Sequence, residues 1–162
     1  MTHLNAAVLL FLATSAAILT VLGFQHIGGY IPCKLCLEQR EPYYLAIPVA
    51  ALAVILAYRG GLAWLTRALI AIVGLLLLWT MALGIYHSGV EWAWWPGPTD
   101  CGGPLAGPSK SAGDLFDSLA RTHPPSCAEA AGRFLGLSFA GWNVLASFGM
   151  AVFAFVAAAR RD

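Results

Sequence analysis

Four stretches of the chain read as almost wholly apolar, at 6–24, 43–58, 68–87 and 142–159, and none contains Asp, Glu, Lys or Arg. Polar positions gather in the connections: 25–42, a tight turn at 59–67, and a long segment at 88–141. A helix needs about 17 to 25 residues to cross the hydrocarbon of a bilayer. The first, third and fourth stretches meet that length. The second is shorter and carries Pro48, so it borrows part of 37–42 or crosses thin bilayer. Backbone groups in lipid find no water, so these stretches predict helices rather than irregular chain. A closed barrel would need alternating segments of about ten residues, and the pattern has none. The expected fold is an all-α membrane protein: a single domain over 1–162, a four-transmembrane-helix bundle with two outer loops, 25–42 and 88–141.

Composition agrees with lipid as the solvent. Hydrophobic residues make up 59% of the 162 positions and charged residues 10%, against about 25% charged in soluble domains. A soluble protein this small has too little interior to hide so much apolar surface. The net charge of +1 comes from scattered basic residues. That pattern leaves no patch for nucleic acid and no charge block typical of a disordered tail. A cleaved secretion signal is the alternative for 6–24. No Lys or Arg precedes the stretch, however, and its apolar run continues past the Ala-rich 13–17.

Arg59 and Arg67 flank the tight turn, and Arg160 and Arg161 follow the last stretch. The positive-inside tendency puts both regions, and hence both chain ends, in the cytoplasm. Lys34 and Arg40 oppose it weakly. All four cysteines lie in the two outer loops, as suits an oxidising compartment such as the bacterial periplasm. Trp92, Trp94, Trp95 and Trp142 fall at helix ends beside the long loop, where an interfacial aromatic belt sits.

The first loop contains Pro32-Cys33-Lys34-Leu35-Cys36, with Arg40 four residues on. If the segment is helical from Pro32, which suits a first helical position, then Cys33, Cys36 and Arg40 share one face. A thiolate near a helix N-terminus and a guanidinium is favoured over the thiol, which makes a reactive pair. Arg40 reads either as an interfacial side chain reaching the headgroups or as a fixed cation beside Cys36 and a quinone oxygen. Pro42 interrupts any continuous helix into the second crossing.

Cys101 and Cys127 enclose a Gly- and Pro-rich segment. A bridge between them would restrict the unfolded chain by about 3.5 kcal/mol on the chain-entropy model, so a structural staple is one reading. The CxxC favours the other, a second dithiol that relays electrons by exchange. A four-thiolate zinc site fits poorly, because the second pair is not closely spaced. His87, at the outer end of the third crossing, reads as a solvated helix end or as a group that contacts a quinone oxygen. Between Cys101 and Cys127, Asp114 reads as the cap of a short helix carrying Leu115, Phe116 and Leu119 that would lie on the membrane surface, or as part of a partly ordered loop.

The four crossings resemble the DsbB family of bacterial inner-membrane thiol:quinone oxidoreductases. So do the run Pro32–Arg40, the pair Cys101 and Cys127, the stretch Tyr86-His87-Ser88-Gly89-Val90-Glu91, and Cys127-Ala-Glu leading to Phe134-Leu-Gly-Leu137. The resemblance implies catalytic Cys33, Cys36, Cys101 and Cys127, and quinone contacts at Arg40 and His87. It implies ubiquinone or menaquinone as acceptor, and a DsbA-like periplasmic thioredoxin-fold protein as partner. In such a scheme that partner attacks Cys101, Cys127 engages Cys33, and Cys36 delivers the electrons. Two rivals remain: a vitamin K epoxide reductase-like enzyme, in which the loop pair precedes CxxC, and a non-enzymatic four-span protein with structural disulfides.

Overall fold

The computed structural model describes residues 2–98 and 126–160. Its helices are α1 (His3–His26), α2 (Lys34–Glu38), α3 (Glu41–Tyr58), α4 (Ala63–Glu91) and α5 (Phe139–Ala159). Residues 133–138 add a hairpin of β1 (Arg133–Phe134) and β2 (Leu137–Ser138). Four segments are long and apolar enough to cross a membrane: α1, α2 and α3 taken together as Lys34–Tyr58, α4, and α5.

The bundle packs small residues inward and large ones outward. Ala46, Ala50 and Ala53 of α3 are buried, as are Ser147, Ala151 and Ala154 of α5. Those spacings of three and four bring one narrow face of each helix against its neighbours, the close approach that membrane helices use in place of a hydrophobic drive. Leu10, Ile70, Val73 and Leu77 fill the remaining interior. Leu12, Leu19, Leu45, Leu52, Leu75, Phe148 and Val152 face outward. In water that outer surface would be an aggregation hazard; in lipid it is the solvated face. Helix α4 packs along α3 and α5, and α1 lies mainly against α3.

Local chemistry sets the ends. Thr2 caps α1 through Asn5 N–H, and Ser138 caps α5 through Gly141 N–H. Arg67 Nε donates to Ala158 O at 2.7 Å, so a cation satisfies the C-terminal end of α5. Pro48 lies inside α3, where it removes one backbone donor, a loss membrane helices tolerate. The long loop was expected to run to 141, but the hairpin and the start of α5 occupy its last part. The two residues between the strands, Leu135 and Gly136, both have positive φ. That is the conformation a right-twisted two-residue hairpin requires. Cys101, Asp114 and most of the segment between the distal cysteines lie outside the described residues.

Candidate functional site

Cys33 is the N-cap of α2, and its Sγ accepts from the Cys36 backbone N–H at 3.3 Å. Pro32 therefore stands before the cap rather than at the first helical position expected for it. Residues 39 and 40 form a turn, and α3 restarts at Glu41 with Pro42 in its first turn. The break is consistent with Pro42, which has no N–H to bond back to the carbonyl of Glu38, where α2 ends. It leaves α2 as a single short turn that carries both sulfurs. They lie 2.8 Å apart, within about 0.8 Å of disulfide bond length.

Cys33 is the donor in that contact, directing its S–H at Cys36. The hydrogen bond to Cys36, and then burial, push the Cys33 thiol up to about 12, while its contact with His87 opposes the rise. Cys33 and the fully buried Cys127 belong to one small cluster with Leu35 and Val90, and Cys36 and Trp95 pack against it. One member of the distal pair thus lies beside the CxxC, although 94 residues separate Cys127 from Cys33 in the chain. The other member, Cys101, is outside the described residues.

His87 is buried in the last turn of α4. Its Nε2 lies 3.6 Å from Cys33 Sγ and 3.8 Å from Glu91 Oε1. Its Nδ1 lies 2.7 Å from the amide nitrogen of Gln39. Gln39 also donates to Leu35 O at 3.1 Å and accepts from Asn143 Nδ2 at 2.8 Å. Asn143 reaches Thr80 Oγ1 at 3.1 Å, and its Oδ1 accepts from Tyr43 at 2.9 Å. Thr80 Oγ1 donates to Gln39 O at 2.9 Å, which closes the set. A polar network thus joins the turn before α3 to α4 and α5, behind His87.

Two cavities meet at the CxxC. The first, about 360 Å³, lies between α1, α3 and α5 and is walled mainly by apolar side chains such as Ile18, Val21, Phe24, Tyr43, Phe139 and Ala146. Arg40 borders it, with Nη1 donating to Gln25 Oε1 at 2.6 Å. The second, about 320 Å³, lies toward the loops and is bordered by Cys33, Glu91, Ser126 and Glu129. Cys36 and His87 border both. Cys33, Cys36 and His87 also bring their donor atoms within 4.8 Å of one another, the separation a soft metal ion would need.

The candidate residues Cys33, Cys36, Cys127, Arg40 and His87 are therefore gathered at one end of the bundle. Gln39, Asn143, Thr80, Tyr43 and Glu91 join them without having been singled out in the sequence. A signal was available, since polar side chains inside apolar crossings are expensive and mark functional sites. Asn143 and Thr80 are such residues. Trp92, Trp94, Trp95 and Trp142 fall around this same end. Trp95 stacks on Tyr86 and donates to Tyr86 O at 2.8 Å, and Trp142 donates to Phe134 O at 2.9 Å.

A family model described as "Disulfide bond formation protein DsbB" matches residues 4–157. The chain is 30% identical over 158 residues to Disulfide bond formation protein B of Aromatoleum aromaticum, covering 94% of this chain and 92% of that protein. It is 25% identical over 130 residues to the uncharacterized protein RP370 of Rickettsia prowazekii, covering 80% and 72% respectively. No solved structure matches. With a family match over nearly its whole length and four apolar helices converging on a CxxC, the chain belongs to the DsbB family of membrane disulfide-bond-formation proteins.

Proposed function

We propose that this protein is a thiol:quinone oxidoreductase of the bacterial inner membrane that reoxidises a DsbA-like periplasmic dithiol protein. The observation that carries the reading is the position of the CxxC in the wall between two unlike cavities. One is strongly apolar and bordered by Arg40, the other is less apolar, bordered by Glu91, Ser126 and Glu129 and close to Cys127. A quinone is oily and resides in the bilayer, whereas the dithiol substrate is in water. A catalyst joining them needs one sulfur couple that faces both.

In the proposed reaction the partner's thiolate attacks Cys101 of a Cys101–Cys127 disulfide. Cys127 leaves as a thiolate and attacks Cys33 of a Cys33–Cys36 disulfide, which releases Cys36 as a thiolate at the mouth of the apolar cavity. The partner's second thiolate then displaces Cys101, Cys101 retakes Cys127, and the freed Cys33 re-forms its bond with Cys36 as two electrons leave. The quinone, ubiquinone or menaquinone, supplies the sink for two electrons and two protons. The chain's own residues do the rest. Arg40 holds positive charge where the acceptor oxygen becomes anionic, and the apolar walls orient the ring and exclude water. His87 borders the same cavity and is a candidate contact for the acceptor. Net, one dithiol becomes a disulfide and one quinone a quinol. Both termini are cytoplasmic and both cysteine loops periplasmic in this scheme.

The test supplies the purified protein with a reduced thioredoxin-fold dithiol and follows quinone absorbance. Stoichiometric quinone loss with thiol oxidation is expected, and its abolition by Cys36→Ser. A non-enzymatic four-span protein would show neither. Turnover that persists in the Cys36→Ser variant would overturn the reading.

A further inference from the structure

We propose that Gln39 is a positioning residue, locking His87 as the Nε2–H tautomer so that this N–H donates to the Cys33 sulfur. The lock follows from donor and acceptor counting. Leu35 O is a backbone carbonyl and only accepts, so the Gln39 group bonded to it at 3.1 Å is the amide nitrogen. The Gln39 oxygen then faces Asn143 Nδ2, itself oriented by a second carbonyl, Thr80 O, at 3.3 Å. Thr80 Oγ1 spends its proton on Gln39 O and is left to accept from Asn143. Every orientation is therefore set by a backbone carbonyl, and none can flip alone. The second Gln39 amide hydrogen meets His87 Nδ1 at 2.7 Å, so that nitrogen must accept. The imidazole proton is left on Nε2.

That proton has two neighbours. The Glu91 oxygen at 3.8 Å is beyond hydrogen-bond length for N–H···O. Cys33 Sγ at 3.6 Å is within reach for the larger sulfur atom. The ring thus acts on Cys33 as a fixed donor that stabilises its thiolate, with no covalent change of its own. The same lock opposes metal binding at Cys33, Cys36 and His87. A metal-bound imidazole donates its other N–H to an acceptor, whereas here that nitrogen meets an amide donor.

The inference deepens the oxidoreductase reading but is tested without quinone or partner protein, so the two can fail separately. In the intact protein, nitrogen NMR of labelled histidine should place the His87 proton on Nε2; a proton on Nδ1 overturns the proposal whatever any variant does. A single-cysteine protein (Cys36→Ser, Cys101→Ser, Cys127→Ser) then reports the Cys33 thiolate by its alkylation rate at fixed pH. His87→Gln keeps a side-chain donor near the Nε2 position, whereas His87→Asn supplies one only near Nδ1. Gln39→Leu and His87→Asn should slow alkylation about tenfold, the worth of one hydrogen bond to a charged group. His87→Gln should stay within about twofold on the same scale. Equal loss in His87→Gln and His87→Asn would point to a base or ligand role and refute the donor assignment.

Discussion

Cys33 and Cys36 differ although they share one helical turn. Cys33 caps α2, is buried, and directs its thiol proton at Cys36. With the Cys33 thiol held up to about 12, little of it is thiolate at neutral or mildly alkaline pH, because a raised pKa moves deprotonation upward. Brief iodoacetamide treatment of the reduced protein at pH 8 should therefore modify Cys36 well before Cys33. Peptide mass spectrometry reads the outcome, and preferential labelling of Cys33 would contradict the assignment. Arg40 supports a second prediction. Its guanidinium borders the apolar cavity and is held by Gln25. Arg40→Ala should raise the quinone KM roughly tenfold, one charge-assisted hydrogen bond, with the cysteines still oxidised. Unchanged quinone kinetics would remove Arg40 from the site.

At the scale of elements, the crossings were legible because length and apolarity alone specify a membrane helix. Their ends were less so. Helix α4 runs on through His87 to Glu91, since His87 is buried against Cys33 and Gln39 and that tertiary contact holds the end of the helix. The hairpin at 133–138 escaped notice because Leu135-Gly136 lacks the Asn-Gly or Asp-Gly signature of such turns. The network behind His87 was invisible for a different reason. Gln39 and Asn143 stand 104 residues apart, and no local periodicity reports which polar side chains meet across a bundle. One glycine makes the meeting possible. A Cβ at Gly84 would stand 2.9 Å from Val144 Cγ2, 3.2 Å from Asn143 Nδ2 and 3.3 Å from Gln39 Oε1. Gly84→Ala should therefore destabilise the protein by about 1–3 kcal/mol, the usual cost of overpacking, read as thermal unfolding in detergent. Adding Val144→Ala should recover part of the loss. If the single variant unfolds like the parent, α4 and α5 are not in the close contact described.

For the whole molecule, the proposed reaction requires both sulfur couples to open to one aqueous face while the acceptor is reached from lipid. The end of the bundle that gathers Cys33, Cys36 and Cys127 also carries Trp92, Trp94 and Trp142 at its rim. The opposite end carries the α3–α4 turn and Arg67, bonded to the end of α5. The positive-inside tendency assigns that second end to the cytoplasm. A reporter cysteine there divides the two faces. Leu62 is 62% exposed in the α3–α4 turn, so Leu62→Cys in an otherwise cysteine-free chain should resist a membrane-impermeant maleimide until the cells are permeabilised. The reduced native protein should react from outside without permeabilisation. Reaction of both from the same side would place the turn and the sulfur couples on one face, which four crossings with this connectivity cannot do.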